Sequence, residues 1–321
     1  MLLNRALQRS PAIGLVGAGA VSVQFGAALA TKLFARVGPA GAVALRLVLA
    51  AAVLVAGTVV MRRRAGPAAP GRGSARRYAR AGGAPQGQAR RAWLDLAVAV
   101  GFGLVLAAMN LSFYEAIDRI PLGVAVTIEF VGPLGVALAG SRRVADGLWA
   151  AGAGAGVALL AAGAGQSLDL AGVGYALLAG LFWAGYILLS RETGRRFESL
   201  SGLAVAMVVA ALAVVPLGVA DGGTALVQPY VLGLGATVAV LSSVVPYSLE
   251  LMALRRATAR AFGVMMSLDP GLATAAGFVV LGQRLTAKEW AALVLVAGAN
   301  LGNALTGRSR RAAPVPVVTP D

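Results

Sequence analysis

The chain has no cysteine and no histidine, and only 13% of its 321 residues are charged. Without cysteine there is no disulfide, no thiolate nucleophile and no sulfur-based metal site. Without histidine, any proton relayed near neutral pH must ride on a carboxyl group. The two lysines, Lys32 and Lys288, are not preceded by glycine, so no phosphate-cradling P-loop exists and the chain is not itself an ATP-driven motor. A zinc-protease His pair and a Gly-x-Ser-x-Gly elbow are also missing, which speaks against a hydrolase and, with no cofactor motif, against an enzyme of any kind.

What is present is apolar surface. Hydrophobic residues make up 58% of the chain and the mean hydropathy is +0.79, whereas soluble domains carry about 25% charged residues. A bilayer-spanning helix needs roughly 20 apolar residues. Ten stretches qualify: Pro11 to Phe34, Gly38 to Val60, Trp93 to Tyr114, Pro121 to Gly140, Ala145 to Gly165, Leu170 to Ser190, Ser201 to Val219, Pro229 to Met252, Ala261 to Gly282 and Ala287 to Thr306. They are read as helices, because a lipid-facing backbone must satisfy its own hydrogen bonds. Arg5 and Arg9 ahead of the first run resemble a signal peptide, but the run continues to Thr31. That is too long for a signal core, so it is read as a retained span.

The net charge of +15 would suggest nucleic acid in a soluble protein. Here the positive residues fall in alternate gaps between spans. With the N-terminus cytoplasmic, that side collects Arg5 and Arg9, nine arginines between Met61 and Ala92, Arg142, Arg143, Arg191, Arg195, Arg196, Arg255, Arg256, Arg260, Arg308, Arg310 and Arg311. The other side holds Lys32, Arg36, Arg119, Arg284 and Lys288. This asymmetry is the positive-inside rule, and it puts both termini in the cytoplasm. The Arg, Gly and Pro-rich segment 61–92 reads as a disordered cytoplasmic loop, with a contact to anionic lipid as the other option, and 308–321 as a disordered tail.

An offset of 137 residues pairs Ala116 with Ala253, Arg119 with Arg256, Pro133 with Pro270 and Gly140 with Gly277. Arg119 then lies outside and Arg256 inside, as two five-helix repeats of opposite orientation require. The expected fold is therefore an all-α membrane protein of ten transmembrane helices in inverted repeats, 1–165 and 166–307.

Three ionisable residues fall deep inside spans: Arg46, Glu129 and Asp269, each eight residues from a span end. At about 1.5 Å per residue that is close to mid-bilayer, where a charge is costly and marks a functional site by default. A buried Arg46 to Glu129 pair that only ties helices together is the alternative. Both acids stand near proline, Pro133 and Pro270, which removes a donor and frees an upstream carbonyl. Arg46 can hold a carboxylate while Glu129 or Asp269 receives an ammonium, so the set suits an amino acid. The same acids are the candidates for coupling solute movement to protons. Secondary ligand candidates are Gln24, Asn110, Tyr114, Trp183, Tyr186, Tyr247 and Ser267, which packing or an interfacial position also explains; Tyr114 in particular fits an aromatic belt. Glu250 beside Arg255 reads as an interfacial salt bridge, and Gly152 with Gly156 and Gly298 with Gly302 as close helix contacts. No metal site is expected.

The strings Gln24-Phe-Gly-Ala-Ala-Leu-Ala-Thr-Lys32, Ala44-Leu-Arg-Leu47, Pro121-Leu-Gly-Val-Ala-Val-Thr-Ile-Glu-Phe-Val-Gly-Pro133, Trp183-Ala-Gly-Tyr-Ile-Leu-Leu-Ser-Arg191, Pro246-Tyr-Ser-Leu-Glu250 and Phe262-Gly-Val-Met-Met-Ser-Leu-Asp-Pro270 together resemble the EamA-type branch of the drug/metabolite transporter superfamily. Within it the likeness is to bacterial inner-membrane exporters of threonine and homoserine. It extends over nearly the whole chain except the Arg-rich loop and the tails. The resemblance implies ten helices in two inverted halves around a central cavity, and matches Arg46, Glu129, Pro133, Tyr247, Glu250 and Pro270 to family-pattern positions. Asp269 departs from it, standing one methylene short of the usual glutamate. The expectation is a proton-coupled exporter of small amino acids in the bacterial plasma membrane, working by one half rocking against the other. Its partners would be the solute, protons and lipid rather than nucleic acid, with a homodimer left open. The alternatives are an exporter of amphipathic drugs or other metabolites on the same fold, and a membrane-embedded enzyme or assembly factor that transports nothing.

Overall fold

The computed structural model describes residues 12–64, 85–139, 144–163, 169–197, 201–246, 249 and 266–306. Among these there is helix but no strand. The elements are α1 (Ala12–Arg64), α2 (Pro85–Arg119), α3 (Leu122–Glu129), α4 (Val131–Leu138), α5 (Val144–Gly163), α6 (Leu170–Arg196), α7 (Ser201–Gly222), α8 (Pro229–Ala239), α9 (Asp269–Leu281) and α10 (Ala287–Thr306). Among the described residues, four stretches are long and apolar enough to cross a bilayer: Gly17–Val60, Trp93–Arg119, Leu170–Arg196 and Gly202–Val227. Leu122–Val136, Gly147–Leu160, Pro229–Val244 and Asp269–Leu281 are shorter apolar helices.

Breaks in these helices follow from local chemistry. In α1, Gly38 has φ +66° and ψ 171° just before Pro39, a conformation that only glycine adopts without strain. The element is therefore two arms meeting at a sharp turn. A Cβ on Gly38 would also lie 2.8 Å from an Asp221 carboxylate oxygen. The helices flanking the Arg-rich segment run further than expected, to Arg64 and from Pro85; the disorder expected for 65–84 and for the tail lies outside the described residues. Two ends are capped in familiar ways. Asp169 accepts from the Ala171 N–H at 2.8 Å at the start of α6, and Thr286 and Glu289 form a reciprocal capping box before α10. Gly282, at φ +66°, ends α9 with its N–H bonded to Phe278 O, the single bond of an αL cap, and the Gln283 N–H bonds Gly277 O beside it.

Alanine, glycine and valine fill much of the interior, while Leu181 (66% exposed), Leu212 (67%) and Val279 (68%) lie on the outside of mid-helix turns. Such an apolar exterior is what lipid covers, and small interior residues let helix backbones approach. Polar side chains on these helices bond back to their own turn: Thr127 to Gly123 O at 2.6 Å, Thr274 to Pro270 O at 2.8 Å, Asn300 to Val296 O at 3.0 Å. That satisfies hydroxyls and amides where no water can. The expected glycine contacts are met in part. Gly156 and Gly302 lie tightly between α5 and α10, against Val296 and Trp149; Gly152 has ordinary contact and Gly298 none.

The helix pairs are α1 with α7, α8 and α9, α2 with α6 and α7, α3 with α9 and α6, α4 with α6, and α5 with α10. Helix ends expected on one face of the membrane do meet. Arg196 bonds Asp95 at 2.9 Å, Arg119 lies 3.9 Å from Asp169, and the Arg36 guanidinium sits 4.6 Å over the Tyr230 ring.

Candidate functional site

Glu129 is the last residue of α3 and Asp269 the first of α9. The two helices cross antiparallel. A Cβ on Gly123 would lie 2.1 Å from the Thr274 hydroxyl, Leu122 packs against Gly277, and the Leu122 N–H donates to Gln283 Oε1 at 3.0 Å. Following the crossing inward from those contacts brings Glu129 and Asp269 to the same end. Both are buried, at 8% and 6% exposure, and Glu129 lies within electrostatic range of Asp269 and of Arg46. Glu129 is therefore brought near both Asp269 and Arg46. Asp269 Oδ1 is buried, with no hydrogen-bond partner among the described residues.

Proline accounts for the break. Pro133 has no N–H to give the Glu129 carbonyl, so the chain bends at Phe130 and α4 starts at Val131. Gly180 of α6 fills the space beside that carbonyl, where a Cβ at position 180 would come within 2.6 Å of Glu129 O. Trp183, one turn along α6, stands edge-on to Phe130 with ring centres 4.9 Å apart. Pro270 similarly occupies the first turn of α9, following the turn at Ser267 and Leu268.

Arg46, on the second arm of α1, is cradled from two sides. Nη1 donates to the Tyr114 hydroxyl at 3.4 Å, Nε to Ser243 Oγ at 3.5 Å and Nη2 to the Ser242 carbonyl at 3.3 Å, and the guanidinium lies 5.8 Å from the Tyr114 ring centre. Ser242 and Ser243 belong to a π-helical turn, Val240–Val244, that ends α8. Tyr114 is fully buried, which corrects the aromatic-belt expectation: its hydroxyl faces an arginine instead of headgroups. Asn110 donates to Leu106 O at 2.8 Å, Tyr186 packs on Phe102 at 5.2 Å, and Ser267 is buried beside Asp269 in the chain. Gln24 is buried, its Oε1 without a partner among the described residues. Tyr247 and Glu250 lie outside the described residues.

Ser242 and Ser243, which contact Arg46, and Gln283, which contacts the start of α3, were not singled out by the sequence. The signal for the serines was a Ser-Ser pair just upstream of Pro246, because a proline in a helix leaves carbonyls one turn back for other donors. A groove of about 390 Å³ along α4 and α6, lined by Val131, Gly132, Val136, Leu177 and Leu181, is apolar and lies apart from the Arg46 cradle.

An all-helical chain with an apolar exterior and a buried cluster of charge has the build of a membrane transporter. This chain belongs to the EamA-like transporter family, whose model matches residues 170–303. It is 39% identical over 289 residues to the threonine/homoserine exporter RhtA of Salmonella typhimurium (strain SL1344), covering 89% of each chain. It is 38% identical, over the same shares, to the threonine/homoserine exporter RhtA of Escherichia coli (strain K12). A solved crystal structure of a protein 19% identical superposes with a TM-score of 0.57, covering 95% of this chain and 99% of that one. At that identity the likeness speaks for the fold alone.

Proposed function

We propose that the chain is a secondary exporter of small amino acids of the threonine and homoserine type, with ten spans in two inverted repeats and both termini cytoplasmic. The observation that carries this reading is a buried Glu129 within electrostatic range of both the buried Asp269 and Arg46. Glu129 and Asp269 are buried and Arg46 is half-buried; ionised groups so placed cost several kcal/mol, and a zwitterion that bridges them recovers part of that. The relatives' printed substrates, threonine and homoserine, are zwitterions of this size.

The inverted repeat gains support from the breaks. Phe130 plus the offset of 137 is position 267, and the turn before α9 falls at Ser267 and Leu268. Pro133 and Pro270 both stand in the first turn after a break. The buried acids suit an occluded state of an alternating-access cycle, in which Glu129 or Asp269 takes up a proton as the amino acid leaves. The helix pairs run between repeats, α1 with α7 and α2 with α6, which supports a moving body drawn from both repeats.

The test is efflux of labelled threonine and homoserine from proteoliposomes, with and without a pH gradient, for wild type, Glu129→Gln and Asp269→Asn. Export by wild type, stimulated by the gradient and lost in both variants, supports the reading. Wild-type rates in both variants remove the site assignment, and wild-type transport of a cationic dye without any amino acid turns the reading to a drug exporter.

A further inference from the structure

The groove of about 390 Å³ between α4 and α6 takes no part in the site described above. Gly132, Gly135 and Ala139 line it from one side, and Leu177, Leu181 and Ala184 from the other. A Cβ on Gly135 would meet nothing within 4 Å, so the cleft is open there. Gly180 also lines it, and the tight approach of Gly132 and Glu129 to Gly180 lies at its edge. An occupant of the groove therefore packs against the backbone that carries Glu129.

α6 runs parallel to α3 and α4, because Gly172 packs on Ile120 while Gly180, two turns on, packs on Glu129 and Gly132. The face of α6 that lines the groove repeats at three and four residues. It continues from Leu177, Leu181 and Ala184 through Leu188 to Arg191 and Arg195, and both leucine and arginine side chains along it are exposed. Gly180 stands level with Glu129, whose place in its span puts it close to mid-bilayer. Arg191 follows eleven residues later, about 16 Å at 1.5 Å per residue, and half of a hydrocarbon core about 30 Å thick is about 15 Å. The apolar groove at mid-depth and the arginines at headgroup level are thus joined by one helical face, one leaflet long.

The charges at that end favour an anion. Arg196 is engaged by Asp95 at 2.9 Å and by Glu192 at 2.7 Å, and Arg195 lies 3.7 Å from the same Glu192. Arg191 is exposed and has no ion pair among the described residues. Arginines beside a membrane surface attract anionic lipid, and an acyl chain is the apolar body that a bilayer supplies to the groove.

We propose that this face binds an anionic phospholipid, one acyl chain lying in the groove between α4 and α6 and the phosphate held by Arg191 with Arg195 beside it. The choice of the cytoplasmic leaflet rests on the orientation proposed above; the binding itself does not, and it is independent of the solute exported.

The experiment titrates the purified full chain in neutral detergent with dioleoylphosphatidylglycerol, with dioleoylphosphatidylcholine and with glycerophosphate, and counts bound molecules by native mass spectrometry. Wild type is expected to hold phosphatidylglycerol at least about fivefold more tightly than phosphatidylcholine and to retain no glycerophosphate. Arg191→Gln should weaken phosphatidylglycerol binding about fivefold, the scale of one arginine at an anionic surface, and Arg191→Gln with Arg195→Gln further, both leaving phosphatidylcholine unchanged. Gly135→Leu places its side chain in the open cleft and should weaken both lipids. Leu181→Ala, at an exposed position, removes part of the opposite wall and should do the same, so it decides the matter should melting curves show that Gly135→Leu has lost its fold. Equal affinity for the two lipids in wild type, a preference that survives loss of both arginines, or lipid binding untouched by the groove variants overturns the proposal. So does a wild-type dimer without bound lipid that Gly135→Leu converts to a monomer, which gives the groove to a second copy.

Discussion

Gly180 and Glu129 meet backbone against backbone, so closely that a methyl group on Gly180 would lie 2.6 Å from the Glu129 carbonyl oxygen. That carbonyl has lost its helical donor to Pro133, and only a residue without a side chain lets α6 close over it. The acid's position is thus set from behind by a neighbouring helix.

Gly180→Ala and Gly132→Ala are therefore expected to disturb the site from outside it. A Cβ on Gly132 would come 1.9 Å from Gly180 O, whereas a Cβ on Gly135 meets nothing within 4 Å. The first two should lose about 1–3 kcal/mol of stability, as overpacked sites do, together with most transport. Gly135→Ala should behave as wild type, with thermal melts in detergent and efflux rates as the two readouts.

Asp269 stands where the resemblance leads one to expect glutamate. Asp269→Glu extends the carboxyl by one methylene and should keep export while changing the ratio of KM values for threonine and homoserine several-fold, since a methylene in a fitted site is worth roughly 1–3 kcal/mol. Competition efflux with the two amino acids reads that ratio, and an unchanged ratio would detach Asp269 from substrate choice.

The Leu122 N–H, at the start of α3, has one side-chain acceptor across the bundle, Gln283 Oε1 at 3.0 Å. Gln283→Ala leaves that half-buried donor without this partner. The expected cost is about 1–2 kcal/mol, visible as a lower melting temperature, with the KM for substrate little changed because the contact lies at the far end of α3 from Glu129.

Absence of cysteine makes the chain its own background for labelling. Single substitutions Asp169→Cys and Lys288→Cys should react with an impermeant maleimide added outside intact cells, while Asp95→Cys and Glu192→Cys should react only after the membrane is opened. The reverse pattern would invert the orientation argued from the arginines.

Much of this protein was legible in one dimension because its solvent is a bilayer. Helix was the necessary form for each apolar run, and Pro133 and Pro270 marked where runs bend, since a missing N–H is a local property. Arg46, Glu129 and Asp269 stood out because charge is rare in such runs. Less visible were the residues whose importance is relational. Ser242 and Ser243 look like ordinary helix-packing hydroxyls until the π turn faces them toward Arg46, and Gln283 like a loop amide until it reaches Leu122. Tyr114 was read by its place near a span end, and the depth of its burial reversed that reading.

The amino-acid order alone determined that the chain is a helical membrane protein, which of its segments are apolar and which of its charges are stranded among them, because each of those follows from transfer energies and backbone bonding within a single helix. Tertiary structure decided that α3 and α9 cross so as to bring Glu129 to Asp269, that Arg46 is held by α2 and by the turn ending α8, and that both acids are buried. Those relations depend on which glycine faces which carbonyl across helices far apart in the chain, and close packing between helices, unlike hydropathy, leaves no periodic mark in the sequence.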